Sequence, residues 1–125
     1  MWTFFFSAGA LLSALSVAVG AFGAHALKGK LTPDDAAIFD TASRYLATQS
    51  LGVIALALLM TRLDDTSLKL GVSALTIGTI IFSGSLYLLV FTGARYFGAV
   101  TPIGGVLLII GWSLGAWASI STNWQ

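Results

Sequence analysis

Seven side chains of this 125-residue chain carry groups suited to chemistry, and five of them fall between residues 25 and 49. They combine an imidazole, a carboxylate, two guanidinium groups, two phenols and a carboxamide: His25, Asp40, Arg44, Tyr45, Gln49, Tyr87 and Arg95. An imidazole among such groups could titrate near neutral pH, ligate a metal ion or relay protons. We favour the simpler alternative, a structural Asp40–Arg44 pair on one helix with long side chains reaching toward water.

The rest of the sequence offers little further chemistry. It has no cysteine, no glutamate among its five acidic residues and only one histidine. A disulfide, a thiolate nucleophile, an iron–sulfur cluster and bis-histidine haem are therefore excluded, and motifs for a serine nucleophile, phosphate or zinc do not occur. A net charge of +1 gives no basic surface for nucleic acid. We expect no cofactor, no metal, no nucleic-acid partner and no enzymatic activity.

The elements that position these groups are predicted by the distribution of charge. Apolar residues make up 57% of the chain and charged residues 9%, against about 25% charged in soluble domains, and the mean hydropathy is +0.92. All charges lie at 28–44, 62–69 and 95, which leaves four uncharged runs. A spanning helix needs about 20 apolar residues. We therefore predict an all-α fold, an integral membrane four-helix bundle that forms a single transmembrane domain over 1–125.

Local start signals place two of the helices. Thr32-Pro33 and Thr101-Pro102 each offer an N-cap hydroxyl followed by a proline at the first helical position. The predicted helices are about 2–27, 33–62, 66–93 and 102–121. The first apolar run lacks a preceding Lys or Arg and is too long for the core of a signal peptide, so we interpret it as a helix. The connections at 28–44 and 93–101 carry four basic residues against two on the other face, which favours termini outside the cytoplasm.

Small residues at spacings of four and seven predict where the helices pack, because lipid supplies no hydrophobic force between them. Helix one has such a stripe, with Gly9 and Ser13 leading into it, and helix four has a GxxxG motif. Ordinary packing within the bundle is the simpler interpretation, and contact between copies is the alternative. The predicted packing positions are Ser16, Gly20, Ala24, Gly78, Gly84, Gly104, Gly111 and Gly115.

Three motifs in register carry a resemblance that covers essentially the whole chain. They are GAFGAHAL at 20–27, FSGSLY at 82–87 and TPIGG at 101–105, followed by Gly111-Trp112. This order resembles the YgdD/YwdK-type small membrane proteins (domain of unknown function 423), a family related to the transmembrane protein 256 family. The resemblance implies a four-helix protein of the bacterial inner (plasma) membrane with no established activity, substrate or cofactor. Its signature positions fall here on Gly20, Gly23, His25, Tyr45, Ser83, Gly84, Tyr87, Thr101, Pro102, Gly104 and Gly105.

Two departures from that family pattern matter. Relatives often have Tyr-Gln followed by a histidine on helix two, where this chain has Leu46 and Gln49, so the resemblance supplies no second histidine. Relatives also often carry a basic C-terminal tail, which favours a cytoplasmic C-terminus, against the charge count. Both orientations therefore stay open.

Three functions are compatible with these features. The first is a non-enzymatic accessory or structural subunit of a larger membrane protein complex, surrounded by membrane lipids. The second is a homo-oligomeric small channel or transporter with a polar cluster around His25 at one membrane face. A membrane enzyme is the third and the weakest, because deep acid–base pairs are missing from the predicted spans.

Overall fold

The computed structural model describes residues 1–124 and contains four helices joined by short connections. The helices are α1 (Trp2–His25), α2 (Pro33–Leu59), α3 (Thr66–Thr92) and α4 (Tyr96–Ser121). All four are long and apolar enough to cross a membrane. The all-α, four-helix fold predicted from the uncharged runs is confirmed.

The central pair of the bundle is α2 and α3, with α1 packed chiefly on α2 and α4 chiefly on α3. α1 meets α2 where Gly9 lies against Ser50 and Ile54. α4 meets a different face of α2, where Leu56 lies against Gly115. The two outer helices therefore flank the central pair, and each keeps a long side that no other helix covers.

The start of α4 differs from the sequence prediction of residue 102. The helix begins at Tyr96, and Pro102 lies inside it. Two tight turns start it early, because Phe97 N–H donates to the Ala94 carbonyl and Gly98 N–H to the Arg95 carbonyl. Proline is tolerated in membrane helices when side chains satisfy nearby backbone groups. Here Pro102 leaves the Gly98 carbonyl without its helical donor, and the neighbouring Thr101 hydroxyl donates to the Phe97 carbonyl at 3.2 Å.

The other helix ends lie close to the predicted ones. The Thr32 hydroxyl accepts the Asp35 N–H at 3.2 Å, as expected of an N-cap followed by proline. α1 and α2 end two or three residues before the predicted positions 27 and 62. α3 ends at Thr92 because Gly93 adopts the left-handed conformation, with a φ of 71°, which glycine enters without steric cost.

Asp65 joins the start of α3 to the end of α4. One carboxylate oxygen accepts the Leu68 N–H at 3.1 Å, and the other accepts the Thr122 hydroxyl at 3.0 Å. Desolvation acts to raise the pKa of this carboxyl, but hydrogen bonds from Leu68, Thr122 and Ser67 together outweigh it. The net pKa of Asp65 is therefore lowered from its ordinary value.

Because the pKa of the Asp65 carboxyl is lowered, the free energy of unfolding depends on pH over a limited acidic range. The stabilisation by the ionised Asp65 carboxylate is complete above the pKa of this group in the unfolded chain, about 3.9. It is lost as the pH falls through the lower pKa of the folded state. Thermal melting in detergent from pH 6 to pH 3 should therefore show a decline, beginning near pH 4, that Asp65→Asn reduces. Asp64→Asn, which removes an exposed carboxylate paired with Lys69, should retain the decline. An undiminished decline in Asp65→Asn would contradict the assignment.

Candidate functional site

The seven chemically interesting side chains do not meet in one pocket. His25 is exposed at the last position of α1, and Arg95 is exposed just before α4. Within residues 1–124, no side-chain hydrogen bond or salt bridge involves either of them. Asp40 and Arg44 form an ion pair along α2, and their side chains are 64% and 71% exposed. Such exposed pairs contribute little to stability.

Tyr87 lies between α2 and α3, where it makes contacts within the bundle. Its hydroxyl is 2.8 Å from the Ser43 hydroxyl, and its ring packs edge-on against Phe39 at 5.3 Å between centroids. One turn earlier, the buried Ser83 donates to the Ala42 carbonyl at 2.9 Å. These hydrogen bonds join the two central helices at the end nearest the 26–32 connection.

A cavity of about 400 Å³ lies beside this region, under the connection from α1 to α2. Its walls include Gly23, Lys28, Phe39, Asp40 and Ser43. His25 is not part of the lining. Among the residues that the structure describes, no three acidic or histidine side chains come together as metal ligands would. The cavity therefore lacks the donor set of a metal centre.

Tyr45 and Gln49 face a second cavity, a groove of about 430 Å³ between α2 and α4. The Gln49 carboxamide oxygen accepts the indole N–H of Trp112 at 2.8 Å. The Tyr45 ring packs on Phe82 with centroids 4.5 Å apart. We call this feature the α2–α4 groove; its lining residues are Tyr45, Gln49, Phe82, Gly105, Leu108, Ile109, Trp112 and Ser113.

The α2–α4 groove lies away from the ends of the two spanning helices that form it. Gln49 is ten residues before the end of α2, and Trp112 is nine residues before the end of α4. At 1.5 Å per residue, both lie about 15 Å along the helix axis from those helix ends, well inside the two spanning segments. Sequence reasoning did not include Trp112 in the site. The sequence feature that could have identified Trp112 is its position in the middle of a spanning helix, away from the membrane interfaces where tryptophan is usually found.

The Gln49–Trp112 hydrogen bond should contribute measurably to stability. Interhelical hydrogen bonds in membranes average about 0.6 kcal/mol and reach about 1.7 kcal/mol. We expect Gln49→Leu and Trp112→Phe each to destabilise the protein, and the double variant to cost less than the sum of the two. A double-mutant cycle of unfolding free energies in detergent should therefore give a coupling of about 1 kcal/mol. Strictly additive effects would contradict a direct hydrogen bond.

The predicted packing glycines divide into two groups. Gly78, Gly104 and Gly111 lie where α3 and α4 approach most closely, and Gly115 lies against Leu56 of α2. A Cβ built at Gly20 or Gly84 would meet nothing within 4 Å. These two positions do not touch another helix.

The contact between α1 and α2 uses Gly9 and Ser13, which lead into the predicted stripe, and Gly23, which lies outside it. A Cβ at Gly9 would lie 3.0 Å from the Ser50 carbonyl, and one at Gly23 would lie 2.4 Å from the Phe39 ring. Ser13 donates to the buried Ser50 hydroxyl at 2.9 Å. Of the predicted stripe, Ser16 is half-buried, whereas Ala24 is exposed.

The uncovered side of α1 carries a stripe of small residues, flanked by large exposed side chains such as Leu11 and Val17. Six of them are exposed and recur at intervals of three or four, which keeps them on one side of the helix. We call this surface the outward face of α1; it consists of Thr3, Ser7, Ala10, Ala14, Ala18 and Ala21. Sequence reasoning did not identify it, although its spacing is visible in the sequence.

Comparison with known proteins places the chain among small membrane proteins. Residues 19–105 match the family model described as Protein of unknown function (DUF423). A UPF0382 membrane protein of Staphylococcus epidermidis is 43% identical over 106 residues, covering 83% of this chain and 84% of that protein. The UPF0382 membrane protein YwdK of Bacillus subtilis is 38% identical over 105 residues, covering 83% and 85%. The UPF0382 inner membrane protein YgdD of Escherichia coli is 38% identical over 98 residues, covering 78% and 75%. No solved structure matches the chain.

Proposed function

Because this chain belongs to the DUF423 family of membrane proteins of unknown function, we propose that it acts as an accessory or structural subunit of a larger membrane protein complex. The family membership confirms the resemblance first indicated by the motifs at 20–27, 82–87 and 101–105. We infer that the complex lies in a bacterial inner membrane, since one relative is named an inner membrane protein. The partner is a transmembrane helix of a larger protein, and the docking surface is the outward face of α1.

The outward face of α1 is the observation that carries this proposal. Side chains there are small from Thr3 to Ala21, along most of the helix. Small residues let two helix backbones approach closely, and close packing is what holds helices together in lipid. A surface that meets only lipid gains nothing from small side chains.

The lipid-facing side of α4 provides the contrast within the same molecule. Its exposed positions are large and aliphatic, as suits contact with acyl chains; they include Ile103, Val106, Ile109 and Ile110. Both outer helices are thus uncovered on one side, but α1 presents there a continuous stripe of small side chains beside its larger exposed ones. The connections at 26–32, 60–65 and 93–95 are short, so recognition would have to occur largely within the membrane.

A matched pair of substitutions on α1 tests the docking surface. Ala14→Phe places a large ring in the middle of the outward face, whereas Leu15→Phe changes a neighbouring exposed side chain that is already large. We expect the unsubstituted chain and Leu15→Phe to co-purify, at fixed stoichiometry in mild detergent, with one unrelated larger membrane protein. Ala14→Phe should reduce that recovery at least tenfold without changing the melting temperature.

Two outcomes would contradict the proposal. Equal recovery with both variants would remove the outward face of α1 from any docking role. A complex that contains only copies of this chain, and that Ala14→Phe disrupts, would favour the homo-oligomeric channel or transporter instead.

A further inference from the structure

The α2–α4 groove opens on the outer surface of the bundle, along two helices that are long and apolar enough to span a membrane. Tyr45 and Trp112, on its two walls, are 40% and 43% exposed. Its volume of about 430 Å³ falls in the range of small-molecule sites. The groove and the outward face of α1 lie on different helices. A ligand site in the groove therefore goes beyond the proposed function and stands independently of it.

Three hydrogen-bond donors of the groove lack a good partner within residues 1–124. No hydrogen bond is formed there by the hydroxyl of Tyr45 or of Ser113. The Gln49 carboxamide nitrogen reaches only the Thr48 hydroxyl, at 3.4 Å, because its oxygen is occupied by Trp112. Unsatisfied polar groups are costly inside a membrane, where no water replaces the missing partner.

Several hydroxyl groups on α3 instead have partners on their own helix. Ser73, Thr76 and Thr79 each donate to the carbonyl four residues earlier on α3. The groove instead brings unpaired donors from two helices into one space. The amide nitrogen can only donate, so the complementary ligand must present acceptor oxygens.

The walls of the groove define the shape of that ligand. The rings of Tyr45, Phe82 and Trp112 provide flat apolar surfaces, and aromatic side chains favour offset stacking with other planar rings. Because the groove lies along two helices able to span a membrane, its ligand would be a membrane-soluble molecule. We propose that the α2–α4 groove binds the planar, carbonyl-bearing head of a lipid-soluble molecule, the chemistry of a membrane quinone. Tyr45, Gln49 and Ser113 donate hydrogen bonds to its carbonyl oxygens.

Tryptophan fluorescence offers a direct test, because Trp112 lies in the groove. The other three tryptophans, Trp2, Trp117 and Trp124, are exposed and can be replaced by phenylalanine to leave Trp112 as the single fluorophore. This single-tryptophan protein is placed in lipid nanodiscs and titrated with decylubiquinone. We expect quenching that saturates at one quinone per chain, and that decylbenzene, with the same tail but no carbonyl, does not reverse.

Conservative variants then test the donors. Tyr45→Phe keeps the ring and removes the hydroxyl, and it should weaken quinone binding about fivefold, as loss of one hydrogen bond implies. Ser113→Ala should weaken it by a smaller factor. Tyr96→Phe and Ser119→Ala, outside the groove, are the matched controls and should bind as the parent does. Circular dichroism and melting temperature verify that each variant folds.

Several results would overturn the proposal. Quenching that rises linearly with quinone concentration would indicate only collisions in the lipid. Displacement by decylbenzene would show that the groove recognises the tail rather than the head. Equal affinity in Tyr45→Phe, Ser113→Ala and their controls would remove the donors from the site.

Discussion

Leu75→Ala is expected to destabilise the protein by about 3 kcal/mol, within the range of about 2–5 kcal/mol found for buried leucine truncations. Leu75 is fully buried near the middle of α3. Its side chain lies against Gly52 of α2, and its backbone lies against Gly111 of α4. Truncation would therefore open a cavity where three helices meet, and the rigid backbones around it leave little freedom to collapse.

Equilibrium unfolding in mixed micelles measures this effect, with helicity followed by circular dichroism. Ile77→Ala is the matched control, because Ile77 lies on the same helix but is half exposed. Its truncation should cost less than about 1 kcal/mol, in line with other surface substitutions. Equal losses for Leu75→Ala and Ile77→Ala would contradict a packed junction of α2, α3 and α4.

Gly104→Ala is expected to cost about 2 kcal/mol, because a single methyl group would force α3 and α4 apart. A Cβ at this position would lie 2.5 Å from the Phe82 backbone nitrogen and 2.8 Å from its Cα. Backbone atoms cannot move aside as a flexible side chain can, and overpacking of this kind typically costs about 1–3 kcal/mol.

Gly84→Ala makes the opposite prediction and provides the matched control. A Cβ at Gly84 meets no atom within 4 Å, and alanine favours a helix over glycine by up to about 1 kcal/mol. This substitution should leave stability unchanged or raise it. Measured side by side, the unfolding free energy should therefore fall in Gly104→Ala and not in Gly84→Ala. A similar loss in both variants would contradict the close approach at Gly104.

The four helices could be predicted because charge is expensive inside a membrane and marks the connections. The start of α4 could not. Thr101-Pro102 has the composition of a helix start, and only the tight turns after Ala94 and Arg95 extend the helix back to Tyr96. A local signal was overridden because the preceding segment also adopts helical geometry.

The packing face of α1 shows a second limit of sequence reasoning. The stripe through Ser16, Gly20 and Ala24 and the stripe through Ala10, Ala14 and Ala18 have the same spacing. Which of the two stripes packs against α2 depends on whether the side chains of α2 are complementary to it in shape. In the structure Ile54 and Phe39 fit against Gly9 and Gly23, which turns the second stripe outward.

The polar groups of the candidate site could be identified from residue type, but their partners could not. Asp40 and Arg44 are four residues apart on one helix, so their ion pair could be predicted from the sequence. Gln49 and Trp112 are separated by 63 positions in the sequence, and their contact depends on how α4 rotates against α2. Sequence spacing predicted no partner for His25, and in the structure its side chain is exposed.

Native mass spectrometry of the unsubstituted chain, extracted gently from its own membrane, tests the central claim most directly. The outward face of α1 predicts recovery with one unrelated larger membrane protein at a fixed stoichiometry. The matched Ala14→Phe chain should be recovered alone. Recovery of the unsubstituted chain only as a monomer, in the mildest detergent that extracts it, would contradict the proposed role as an accessory or structural subunit.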